Sequence, residues 1–68
     1  MNATYDPRTD TLTLRLRPGA VAESDEDKRG VILDHDEEGN LLGLGILDAS
    51  RRVADARKMD FEVLGQAG

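Results

Sequence analysis

The 68-residue chain has no cysteine, no tryptophan, one histidine and only two prolines. Without cysteine it can form neither a disulfide nor a thiolate metal site. No apolar run approaches the roughly 18 residues of a membrane-spanning helix, and the N-terminal stretch lacks the basic and apolar regions of a secretory signal. A cytoplasmic location is the expectation. A basic excess is also missing: fourteen acidic side chains outnumber nine basic ones, for a net charge of −5. Direct nucleic-acid binding and attachment to an anionic membrane surface are both disfavoured, because each requires a basic face.

The surplus of acid is local. Glu23, Asp25, Glu26, Asp27, Asp34, Asp36, Glu37 and Glu38 face only Lys28 and Arg29 in their own stretch. Around them the hydrophobic pattern is that of strands. Thr11 to Arg17 alternates strictly, with Leu12, Leu14 and Leu16 on one face. Asp6-Pro7-Arg8-Thr9-Asp10 before it carries turn chemistry, Pro7 fixing φ and Asp6 able to cap the loop backbone. Val31-Ile32-Leu33 and Leu41 to Leu47 flank an acidic tip, where Gly39 can take the positive φ that closes a hairpin. These segments predict an α+β fold in one small domain spanning residues 1–68. Its core is a four-stranded antiparallel β-meander at about 2–6, 10–17, 30–35 and 40–48.

Residues 20–29 read as a solvated loop. Asp48 reads as the N-cap of a helix near 49–57, with Ala49, Val53 and Ala56 as a thin apolar stripe. Met59 to Leu64 returns to period two and predicts a short final strand, with fraying at 65–68. The inner face should bury Tyr5, Leu12, Leu14, Leu16, Val31, Leu33, Leu42, Leu44 and Ile46. Gly43 and Gly45, two residues apart, are either a bulge or twist in a central strand or a shallow docking groove.

Candidate chemistry is sparse. Asp34-x-Asp36-x-Glu38-Gly39 imitates the opening of a calcium loop, but the ninth and twelfth positions are Leu42 and Gly45, which supply no ligand. A solvated hairpin tip explains these acids better. His35 has no evident catalytic partner, no serine lies in a nucleophile motif, and Gly43-Leu44-Gly45 sits inside a strand, not in a phosphate loop. No enzymatic activity, cofactor or resident metal is expected. Arg15, Arg17, Arg51 and Arg52 could form a positive patch, though pairing with the surplus acids is the simpler outcome.

Taken in order, Tyr5-Asp6, Asp10-Thr11-Leu12-x-Leu14-x-Leu16, Gly30-Val31-Ile32-Leu33-Asp34-x-Asp36-x-x-Gly39-Asn40 and Gly43-x-x-Ile46-Leu47-Asp48-Ala49-Ser50 resemble the bacterial domain-of-unknown-function family 2283. The resemblance covers residues 3–52. It implies a small cytoplasmic bacterial protein of no established activity, of a kind often encoded beside another small protein in toxin–antitoxin-like fashion. Thr13 stands where an aromatic residue is common, His35 where tyrosine is common and Gly45 where glutamate is common. The resemblance carries over no site residue, because the family has none defined.

The functional expectation is a non-catalytic protein-binding module, an acidic, antitoxin-like partner of a small basic protein. One alternative is a structural homo-oligomeric accessory domain. Another is a weak metal or small-molecule binder at Asp34, His35 and Asp36. A homo-oligomer, with a dimer favoured, is expected on size as well, since a chain this short buries only about 60% of its unfolded surface. Its interface is expected at Ile32, Leu41, Gly43, Gly45, Leu47, Phe61 and Val63, apolar positions that one short helix leaves uncovered.

Overall fold

A computed structural model describes residues 1–65. It is a single antiparallel sheet of five strands: β1 (Asn2–Asp6), β2 (Thr11–Arg15), β3 (Glu23–Lys28), β4 (Val31–His35) and β5 (Leu41–Ile46). One helical turn, α1 (Ala49–Arg52), follows. The spatial order is β1-β2-β5-β4-β3.

This order replaces the expected four-stranded meander. The hairpin β1–β2 and the unit β3–β4–β5 are each locally connected, and residues 16–22 carry the chain past two strands so that β5 lies beside β2. Charge and hydropathy explain the arrangement. β5 has no charged residue and pairs on both edges, which places it centrally, while the acid-rich β3 takes an edge where its side chains stay hydrated.

β3 also corrects the loop expected at 20–29. It has no apolar alternation, because both of its faces are exposed. What makes it a strand is its partner: β4 would otherwise leave a row of backbone groups unpaired, and β3 pairs with it from Glu23↔His35 to Lys28↔Val31.

Register assigns the two faces of the sheet. Ala3 and Tyr5, Leu14 and Leu12, Leu44 and Ile46, Leu33 and Val31 stand opposite one another across successive strands, and Asp25 stands opposite Leu33 at the margin. This is the apolar face. The other face carries Thr4, Thr13, Arg15, Gly43, Gly45, Ile32, Asp34 and Ser24.

The apolar residues share a face as expected, but few are buried. Only Leu12, Leu42 and Ala49 are buried apolar side chains among the described residues; the rest of the predicted inner face is half-exposed. Leu42 is the largest fully buried side chain, at 1% exposure. It sits at a bulge, where the register steps from Asp34↔Gly43 to His35↔Leu41. There it packs under Gly19, and its carbonyl oxygen accepts the N–H of Leu16 at 2.8 Å.

The helix stops at Arg52, short of the expected residue 57, and Val53 is already extended. Its apolar stripe is too thin to reward further turns, and one turn alone is marginal in water. Asp55 then diverts the backbone: its carboxylate accepts the Arg57 N–H at 3.0 Å and its carbonyl the Lys58 N–H at 3.2 Å. No final strand forms at 59–64 among the described residues. Instead Met59 and Phe61 pass over the apolar face near Ala3 and Leu14. The expected fraying at 65–68 falls, beyond Gly65, outside the described residues.

Candidate functional site

Two features stand out, one at each margin of the sheet. The first is a clasp built on Asp10. Asp10 ends the β1–β2 turn in the left-handed region, at φ 53°. There its carboxylate accepts the Tyr5 hydroxyl at 2.7 Å, the Ser50 amide at 3.0 Å and the Ser50 hydroxyl at 2.7 Å. Its carbonyl oxygen accepts the Ala49 N–H at 2.9 Å.

Asp10 therefore caps α1 from a distant turn. Asp48, the expected N-cap, makes no side-chain capping bond and instead turns the chain at φ 52°. The Ser50 hydroxyl, followed by the Tyr5 hydroxyl, holds the Asp10 carboxyl below the usual carboxylate range. The same bond to Asp10 raises the Tyr5 hydroxyl above its ordinary value, and the Arg57 guanidinium lies 5.6 Å over its ring. At the far end of α1, Arg52 packs on Gly30, whose carbonyl accepts the Leu47 N–H at 2.8 Å. One helical turn thus ties the β1–β2 turn to the β3–β4 turn. Chemically the clasp is structural: His35 lies at the other end of the sheet, and both hydroxyl protons are committed to Asp10.

The second feature is the outer edge of β3. All six of its residues are exposed, and Glu23, Asp25, Glu26 and Asp27 are four of the six. Among the described residues its only strand partner is β4. Two side-chain bonds hold it in place: the Ser24 hydroxyl donates to Asp34 at 2.6 Å, and Glu26 accepts the Gly30 N–H at 2.7 Å.

The Asp34-His35-Asp36 turn does not converge. Asp34 is engaged with Ser24 on one face, while His35 stands opposite Leu41 past the bulge. Asp36 is a turn cap, accepting from the Asn40 side chain and backbone and from the Glu38 amide, bonds that hold its carboxyl below the usual range. Gly39 closes this hairpin at φ 84°, as expected. Among the described residues, no three histidine or carboxylate side chains gather where they could hold a metal ion.

The seven expected interface positions do not form one surface. Ile32, Gly43 and Gly45 share the polar face; Leu41 is half-buried opposite His35; Leu47 is at the surface beyond β5; Phe61 and Val63 lie on the trailing segment, Phe61 against the opposite face. Gly43 and Gly45 also differ. A Cβ on Gly43 would lie 2.5 Å from the Leu14 carbonyl oxygen, so glycine there permits the close approach of β2, whereas a Cβ on Gly45 would meet nothing within 4 Å. The arginines expected to pair with the acids do not: the one ion pair among the described residues is Arg8–Asp6, at 3.4 Å. The clasp and the β3 edge were not visible in the sequence as sites, although Tyr5, Asp10 and Ser50 are all among the residues carrying the family resemblance.

No helix among the described residues is long and apolar enough to cross a membrane. No curated protein and no solved structure matches the chain. Residues 2–50 match the model of the family described as protein of unknown function (DUF2283), a span that takes in all five strands and the Asp10 clasp, and the chain belongs to that family.

Proposed function

We propose that the protein is a non-catalytic binding module that receives a basic, extended segment of another protein on the outer edge of β3. The observation that carries this reading is the coincidence of a strand edge left unpaired among the described residues with four acidic side chains on six exposed residues. An unpaired edge offers alternating N–H and C=O groups to an added strand, and such pairing supplies affinity with little demand on sequence. The acids supply selectivity. They steer a lysine- or arginine-rich strand toward the edge and repel a second copy of the same edge. An antitoxin-like role, in which this edge covers a basic surface of a small protein partner, is the biological form of the proposal.

Co-purification of the native protein from its host at low salt tests it. A basic partner is expected, released by raised salt and lost from a Glu23→Lys/Asp27→Lys variant of unchanged circular dichroism. Recovery of no protein partner, or capture indifferent to both changes, would refute the reading.

A further inference from the structure

We propose that the apolar face of the sheet is covered by the same face of a second copy, so that the chain is half of a two-layer β-sandwich. An apolar sheet face normally buries itself against a second layer, and the described residues form no second sheet or long helix to supply one: the molecule is a slab only 19 Å thick in its shortest dimension. Its radius of gyration is 13.3 Å, against roughly 11 Å for a compact chain of this length. Its accessible surface is 5483 Å², against roughly 4,200 Å² for a folded monomer of this mass. The surplus is roughly 1,300 Å². It exceeds the roughly 800 Å² that each partner buries in a standard stable interface.

The relief of this face selects a second copy as the occupant. Over β1 and β2 the trailing segment forms a raised apolar ridge, with Met59 54% and Phe61 75% exposed beside Ala3 and Leu14. Over β5 and β4 the described residues of the trailing segment are absent, and Leu44 and Leu33 lie half-buried, lower than the ridge. A two-fold axis parallel to the strands sets each ridge onto this lower part of the partner's face. The same operation carries the basic margin, Arg57 and Lys58 near β1, toward the partner's acidic margin at Asp25 beside Leu33. A surface complementary to itself in both shape and charge is what an isologous dimer requires. The outer backbone edge of β3 stays free in this arrangement, and Asp25 is an acid that the dimer and the proposed strand-binding edge share.

Light scattering and sedimentation equilibrium of the full chain test this. The expected mass is about twice 7.4 kDa, with a Kd below about 10 µM. Phe61→Asp is expected to weaken the dimer at least about tenfold. The circular dichroism should not change, because Phe61 is exposed in the protomer. Lys58→Glu should weaken the dimer, and Asp25→Arg in the same chain should restore it. A mass near 7.4 kDa at about 100 µM, a dimer indifferent to Phe61→Asp, or a double variant no tighter than Lys58→Glu alone would each overturn the proposal.

Discussion

Ser50 gives both its amide hydrogen and its hydroxyl hydrogen to the two carboxylate oxygens of Asp10, forty residues earlier in the chain, at 3.0 and 2.7 Å. The start of α1 is thereby fixed by a residue of the β1–β2 turn. Asp10→Asn keeps a residue tolerant of the left-handed region but exchanges one acceptor oxygen for a donor. Its Tm is expected to fall well below that of Asp48→Asn, which removes a carboxylate that caps nothing. Equal melting temperatures for the two variants would contradict the assignment of the cap.

The same bonds set the pH response. Asp10 and Asp36 have folded pKa values lowered by hydrogen bonds, chiefly from Ser50 and Asn40 respectively. Their contribution is complete above the unfolded value, about 4, and is lost as pH falls through the lower folded value. Thermal melts should therefore lose stability below about pH 4, and Asp10→Asn should flatten the acid limb.

On the alkaline side the sign reverses. The Tyr5 pKa is raised above 10.0, so its contribution is complete below that pH and is lost as pH rises through the folded value. Tyr5 is the one tyrosine, and tyrosinate absorbance reads it directly. The midpoint should drop in Asp10→Asn.

The two glycines of β5 separate cleanly by substitution. Gly43→Ala forces a Cβ against the Leu14 carbonyl and should cost about 1–3 kcal/mol in urea unfolding. Gly45→Ala meets open space and removes a flexible residue from a strand interior, so it should stabilise by about 0.5–1 kcal/mol. Equal losses at both positions would mean that β2 does not approach β5 as described.

Leu42→Ala truncates the largest fully buried side chain among the described residues and should cost about 2–5 kcal/mol. That is a large fraction of the ~3–10 kcal/mol that a protein of this size holds.

Much of the sheet was legible in the sequence because its signals are local. The alternation of Leu12, Leu14 and Leu16, the Asp6 turn and the positive φ of Gly39 each act within a few residues. What was illegible depends on distant partners. β3 has no apolar face to reveal it and is a strand because β4 needs a neighbour. The Asp10 clasp joins positions that no periodicity relates. The sequence suggests a longer helix than forms because Ala49, Val53 and Ala56 do have helical spacing, while the turn at Asp55 competes for the same backbone. As for function, the acids at 23–27 were visible as a charge run, but their place on an unpaired edge follows only from the strand order.

That strand order has a kinetic consequence. The hairpin β1–β2 and the unit β3–β4–β5 each close over short distances along the chain, and a single ladder, with Leu14 facing Leu44, joins them. Loop closure makes such a distant pairing the slow event of folding. Gly43, in glycine form because β2 must come so near, lies on that ladder. The molecule is one quick hairpin and one quick three-stranded unit sharing a late seam, and a cut in the connection at 18–21 would remove their tether while leaving every rung of every ladder in place.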